Sequence, residues 1–280
     1  MGPWLETFAV LLVAAGGITL GRRLARCPKP WWTLWYLLPL AIIALLLAAR
    51  LEGRWSFAAS ISWLVTGRLR YVLVAAAVTL GLLMPLPHLP RRWERVAVAI
   101  FMAAVLAWFS ILPFLLPAVI QRQLAALQTT LTADGVCLQS TGYTCGPAAA
   151  VTALAALGIP ADEGQLAIHA RSNPVTGTLP ARLTTVLQRL YGDQGLRCRY
   201  RRFDSVAQLA HAGPTLAIVR DGRLRDHCVA VLNISDHTVT LADPALGRIQ
   251  IPRQQFATQW RHQAIVLELN GANTSSPSSL

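Results

Sequence analysis

Through the first 120 residues the chain runs apolar for long stretches and turns polar only in short breaks. Beyond about Gln123, apolar and polar positions interleave at helix and strand spacing. Four stretches of the first part are predicted to be transmembrane helices: residues 4–20, 31–49, 71–87 and 96–120. A helix rises about 1.5 Å per residue and a bilayer core is about 30 Å thick, so a span takes about 20 residues. The second and fourth stretches meet that length; the first and third fall just short. Pro113 and Pro117 are expected to kink or end the fourth helix. Residues 55–66, which carry Ser56, Ser60 and Ser62, are too short to cross and read as an interfacial helix with Trp55 and Trp63 at headgroup depth. The first stretch lacks a basic start and a small-residue cleavage site, so it reads as a retained anchor rather than a signal peptide.

In the second part, helices are predicted over 148–157 and 179–191. Two shorter ones run from a cap at Asp162 to His169 and from a cap at Asp204 to near Gly213. Strand-like runs follow at 215–219, 228–234, 238–242, 248–251 and 264–269. Helices followed by antiparallel strands define an α+β domain. The organisation read from the sequence is a transmembrane region over 1–122, a water-facing domain over 123–270 and a Ser-rich disordered tail over 271–280.

Composition sharpens this division. Hydrophobic residues make up 54% and charged residues 14%, against about 25% charged in an ordinary soluble domain. Disorder, a collagen-like chain and a disulfide-dense mini-protein are excluded. The net charge of +12 invites a nucleic-acid partner, but the basic residues of the first part sit between apolar runs, where arginine marks membrane flanks. Arg197, Arg199, Arg201 and Arg202 alternate with Leu196, Cys198 and Tyr200, which suits the wet face of an edge strand better than a polyanion site. Nucleic acid is therefore not an expected partner, whereas the lipid bilayer is. Arg22, Arg23, Arg26, Lys29, Arg91, Arg92 and Arg95 outnumber Arg50, Arg54, Arg68, Arg70 and Arg122 on the opposite side. That favours a multi-pass cell-membrane protein whose second domain lies outside the cytoplasm.

The run Gln139-Ser-Thr-Gly-Tyr-Thr-Cys145-Gly-Pro-Ala carries the chemistry. It sets a cysteine immediately before a helix that opens at Pro147, where the positive end of the helix favours negative charge on sulfur. Such a sulfur can attack a carbonyl. Gly146 is expected to let a substrate backbone come close, and Gln139 can turn its amide towards a developing oxyanion. A base and an orienting group are also needed. If the segment from Asp226 to Pro244 is a hairpin centred on Ser235, His227 and Asp243 fall directly opposite each other, within carboxylate–imidazole reach.

These residues resemble the papain-like double-glycine leader peptidase family, which processes bacteriocin precursors, over about 139–269. The anchors are Gln-x5-Cys-Gly-x-Ala at 139–148, a histidine opening an apolar strand, Ala-Asp-Pro near the end of the next, and Gly177-Thr178-Leu179 before a helix. The resemblance implies a papain-like cysteine peptidase fold with helices packed on an antiparallel sheet. It also implies Cys145 as nucleophile, His227 as general base and acid, Asp243 as its orienter and Gln139 as oxyanion donor. Two departures stand out: Thr144 replaces the family's frequent Asp before the cysteine, and no Gly-x4-Gly-Lys-Ser/Thr phosphate loop appears. Export by this chain alone is thus not expected, and a separate exporter becomes a candidate partner beside a peptide or protein substrate.

No motif implies a cofactor, and Cys137, Cys145 and His227 lack the fourth ligand and spacing of a metal site. Cys27 reads as inert; Cys137, Cys198 and Cys228 read as small core residues, two of which could pair in an oxidising compartment. His169, His211, His237 and His262 read as surface residues. Two rivals share the fold. One is a silent leader-binding or tethering module, which has no need of all four of Gln139, Cys145, His227 and Asp243. The other is an acyltransferase or transglutaminase-like enzyme that delivers an amine instead of water. A transporter role for the helices is disfavoured by their near lack of internal ionisable residues.

Overall fold

The computed structural model describes residues 3–28, 31–51, 69–222 and 225–269. The expected interfacial helix over 55–66 and the tail over 271–280 lie outside these. The chain divides into two compact units, Met1–Ile120 and Gln121–Leu280.

In the first unit α1 is Pro3–Leu24, α2 Trp31–Trp35, α3 Leu37–Leu51 and α4 Leu69–Leu83; α5 (Arg92–Leu106) runs through a π-helical turn, Ala107–Ile111, into α6 (Leu112–Val119). Among the described residues three helical segments are long and apolar enough to cross a membrane: Thr7–Leu24, Tyr71–His88 and Arg92–Val119. The stretch predicted over 31–49 does not form one helix. It breaks at Tyr36 into α2 and α3, because Pro39 offers no N–H to the Trp35 carbonyl and its ring crowds that same group. In the fourth stretch a π-helical turn stands directly ahead of Pro113, widening the coil where the proline has no N–H to give, and the helix ends at Val119, two residues past Pro117, in keeping with prolines expected to kink or end it.

Gly17 and Gly21, one turn apart on α1, let α4 come close. A methyl group added at Gly17 would lie 2.1 Å from Thr79 Oγ1, and one at Gly21 would lie 3.1 Å from Leu83 Cβ. Thr79 is fully buried and returns its hydroxyl to Ala75 O at 2.7 Å. Gly17→Val is therefore expected to overpack this contact and destabilise the unit by about 1–3 kcal/mol. Denaturant unfolding of the detergent-solubilised full chain measures the loss; an unchanged midpoint would mean that the helices do not need this close approach.

The second unit opens with α7 (Gln121–Ala125) and a small hairpin of β1 (Thr130–Leu131) and β2 (Cys137–Leu138). Three helices follow: α8 (Cys145–Ala156), α9 (Glu163–Ala170) and α10 (Pro180–Tyr191). Then come β3 (Leu196–Arg202), α11 (Val206–Ala210), β4 (Thr215–Asp221), β5 (Arg225–Ile234), β6 (Thr238–Asp243), β7 (Gly247–Pro252), α12 (Arg253–Gln259) and β8 (Trp260–Leu269). The six long strands form one antiparallel sheet in the order β3-β8-β4-β5-β6-β7. Period-2 alternation splits the core between its faces. Leu216, Ile218, Cys228 and Ala230 join the residues of α8, α9 and α10, while Ala217, Val229 and Val231 join Phe203, Leu209, Phe256 and Trp260.

Every residue of α8 from Gly146 to Leu154 is buried, which explains its unbroken apolar run. Asp162 caps α9 as expected, its Oδ1 accepting Gln165 N–H at 2.8 Å. The cap of α11 is Ser205 rather than Asp204. Arg197, Arg199 and Arg201 are exposed on β3, at the edge of the sheet. His262 departs from the surface reading: it is half-buried, packs against Trp260 with ring centroids 5.0 Å apart and planes tilted by 31°, and takes a φ of 59°.

Candidate active site

Cys145 is the first residue of α8 and half-exposed. The first helical bond runs from Ala148 N to Thr144 O, so the amides ahead of it are not used inside the helix. Thr144, where the family often has Asp, is fully buried and accepts Thr141 N–H at 3.1 Å, which closes the turn leading into the cysteine. Gly146, expected to let a substrate backbone come close, also has a packing reason to be glycine. A Cβ there would sit 3.0 Å from Thr178 Cβ and 3.3 Å from Leu183 Cδ2, so the glycine makes room for the chain's own packing. Thr178, just after the αL residue Gly177, donates to Tyr143 O at 3.3 Å and pairs with Ser172 Oγ at 2.6 Å. The loop at 172–178 thereby braces the residues before the sulfur.

Opposite the thiol, β5 carries His227 and the end of β6 carries Asp243. His227 Nε2 and Asp243 Oδ1 are 2.8 Å apart, both largely buried. The Cys145 side chain lies beside the same ring, close enough to act on its charge. The hairpin reaches this arrangement by a different register from the one expected. Ala230 pairs with Ala242 and Val231 with Leu241, and a bulge after Val231 shifts the pairing so that Asn233 meets Thr240. Asp243 therefore lies diagonal to His227, two residues along, and the ring bridges the gap. A two-residue slip keeps both side chains on one face, which is why the pairing survives the wrong register.

The electrostatics follow from this geometry. Burial alone would lower the pKa of His227, but the hydrogen bond it donates to Asp243 and the nearby Cys145 side chain, and then the charges of both, push it up to about 10. For Asp243 burial acts upward and is outweighed, chiefly by the His227 hydrogen bond and then by Ala245 N–H, so the carboxyl is held below its usual range. At neutral pH the ring is thus a cation between a carboxylate and the sulfur.

Gln139 follows β2. Its backbone N–H donates to Pro244 O at 2.9 Å, tying it to the turn that carries Asp243, and its side-chain Oε1 is buried without a hydrogen-bond partner. The four residues singled out from the sequence thus lie on neighbouring elements: His227 is hydrogen-bonded to Asp243, Cys145 lies beside the ring, and Gln139 is anchored to the Asp243 turn. All five cysteines are free thiols. Burial pushes the Cys137 and Cys198 thiols up to about 12. Cys228 is raised too, by burial first and the neighbouring Cys145 second. Among the described residues no three His, Cys, Asp or Glu side chains are placed to hold a metal ion. The Pro244 carbonyl was not visible in the sequence, because it acts through a backbone bond that no spacing encodes, and the side-chain brace from Thr178 to Tyr143 was visible only as a turn before a helix.

Helices packed on one antiparallel sheet, with a cysteine, a histidine and an aspartate brought together at the start of a helix, are the architecture of a C39-like peptidase domain. The chain belongs to the Peptidase C39 family, whose model matches residues 134–271. An uncharacterised protein from Methanothermobacter marburgensis is 34% identical over 130 residues, covering 46% of this chain and 85% of its own. The peptidase domain of Streptococcus ComA, a bifunctional ABC transporter of a quorum-sensing pathway, is similar at 18% identity. The match covers 47% of this chain and 96% of that domain, with a TM-score of 0.43. A double-glycine-motif protease from an AMS/PCAT transporter, solved with its leader peptide, matches at 16% identity over 51% and 92% of the two chains, with a TM-score of 0.40.

Proposed function

We propose that this chain is a membrane-anchored cysteine peptidase that cleaves a peptide or a flexible protein segment through Cys145, His227, Asp243 and Gln139. The observation that carries the reading is the paired imidazole: His227 Nε2 meets the Asp243 carboxylate at 2.8 Å, and the partly exposed Cys145 side chain lies beside the same ring. That arrangement supplies a sulfur nucleophile with a proton donor already in place. Cys145 Sγ, having given its proton to His227, bonds to the peptide carbonyl carbon. The carbonyl oxygen takes the negative charge and is held by Gln139 and the amide at the start of α8. The imidazolium gives its proton to the departing amine as the C–N bond breaks. Water then adds to the thioester, its proton passes to the ring, and the C–S bond breaks to release the acid.

The unit comprising residues 1–120 is the proposed anchor, and 123–270 the peptidase domain. Its three long helices present large apolar side chains outward, with Phe8, Ile100, Phe101 and Trp108 among the exposed ones; such a surface suits hydrocarbon and not water. The charge bias around these helices supports a place outside the cytoplasm for the peptidase domain. A separate exporter is the proposed partner for a substrate in transit.

The test is labelling of the full chain with a peptide that bears a thiol-reactive electrophile. Modification is expected at Cys145 and is expected to be lost in His227→Ala. Labelling that survives the histidine replacement undiminished would overturn the proposed triad. Supplying a labelled amine with the substrate separates hydrolysis from acyl transfer, and incorporation of the amine would convert the reading to a transferase.

A further inference from the structure

We infer that Glu163 is a positioning residue for acyl transfer: its buried carboxylate clamps Ser140 and so fixes the adjoining Gln139 for the oxyanion. This rests on the assignment of Gln139 as oxyanion donor. Glu163 is the first residue of α9 and has no exposed surface. Both of its oxygens are spent on one residue: Oε1 accepts Ser140 N–H at 2.9 Å and Oε2 accepts Ser140 Oγ–H at 2.6 Å.

A carboxylate out of water is costly unless hydrogen bonds satisfy it, and a well-packed apolar side chain would fill the same space more cheaply. What the acid adds is a two-point grip on a loop. Gln139 is then held by consecutive amides, its own N–H on Pro244 O and the next one on Glu163. One anchor belongs to the Asp243 turn and the other to α9, so the Cα from which the Gln139 side chain departs is fixed between the imidazole's orienter and a helix.

The grip is itself fixed. Glu163 N–H donates to Thr129 Oγ1 at 2.9 Å, and that hydroxyl donates to Asp162 Oδ2 at 2.8 Å. Gly164 completes the close fit, since a Cβ there would stand 2.4 Å from Leu124 O. The acid sits where the dipole of α9 favours a negative charge. The whole assembly is a rigid strut ending at the oxyanion loop and touching neither Cys145 nor His227 directly.

The experiment compares two reactions of Cys145 in the full-length protein in detergent. Acyl transfer from p-nitrophenyl acetate passes through an oxyanion; alkylation by iodoacetamide, read by mass spectrometry at the Cys145 peptide, does not. Glu163→Ala is expected to lower kcat for the ester by about 10–100-fold, with KM within about threefold and Cys145 alkylation within about twofold. Gln139→Ala is expected to lower kcat by about 100-fold or more, and the double variant should fall no further than Gln139→Ala alone. Glu163→Gln, which can still accept the Ser140 N–H, should recover most of the loss.

Multiplied losses in the double variant, or alkylation falling in step with acyl transfer, would overturn the inference while leaving Gln139 as donor. Unchanged kcat in Gln139→Ala would overturn both. Should Glu163→Ala fail to fold, Ser140→Ala removes one of the two bonds, and the same non-additivity with Gln139→Ala decides the matter.

Discussion

Replacing Cys145 by alanine is expected to lower peptide cleavage by about 10⁶-fold, to the level left by binding and oxyanion contacts alone. The fold should be kept. Cys145 is half-exposed at the first position of α8, and the helix is held by Gly146–Leu154 inside the core, so losing one sulfur there removes little buried area. The cost should stay within about 1 kcal/mol, read from the denaturant midpoint. Cys198→Ala is the matching control. Its thiol is buried away from the line of Cys145, His227 and Asp243 and is pushed up to about 12 by desolvation, so it is not the nucleophile. Cleavage should stay within about twofold of wild type in that variant. Turnover that persists in Cys145→Ala would remove the sulfur from the mechanism.

The pair of experiments also separates the two parts of the reading that differ in legibility. The cysteine was visible because a helix start leaves a local mark: a polar turn, a cysteine, a glycine and a proline, then an apolar run. The antiparallel strands were visible from period-2 alternation between 215 and 269. The contact between His227 and Asp243 was half visible. Pairing parity survives a two-residue slip, so the face was right although the register was not, and the bulge after Val231 has no signature in the residues themselves.

What stayed hidden has a common cause. Gly146 reads as an opening for substrate because a glycine beside a nucleophile fits that role. Only tertiary packing reveals Thr178 and Leu183 in the space. Glu163 reads as a helix-start acid because the sequence cannot say that its side chain turns inward to Ser140. In the first unit, hydropathy found the apolar stretch at 31–49 but not its division at Tyr36, which comes from a single missing N–H at Pro39. Composition reports how much apolar surface a segment holds, and backbone hydrogen bonds decide how it is cut.

Removing the carboxylate that steadies the imidazole should have the second-largest effect. Asp243→Ala is expected to lower kcat by about 10²–10⁴-fold, and Asp243→Asn by less, because the amide oxygen can still accept the Nε2–H. The pH profile should identify the cause. In the wild type the ring stays protonated up to about 10, with burial opposing and the Asp243 hydrogen bond leading the upward push. Activity that needs the imidazolium therefore persists into alkaline solution. Without the carboxylate the burial effect gains weight, and the alkaline limb should move towards neutrality.

Stability follows with the same signs. The raised pKa of His227 contributes stability that is complete below its ordinary 6.5 and is lost as pH rises through about 10. The lowered pKa of Asp243 contributes stability that is complete above its ordinary 3.8 and is lost as pH falls through its folded value. Between those limits the pair is intact, and both Asp243 variants should show their largest loss of unfolding midpoint there and a smaller one at either extreme. An alkaline limb that stays in place in Asp243→Ala, with kcat reduced, would mean that the carboxylate holds the turn through Ala245 N–H and does not tune the ring.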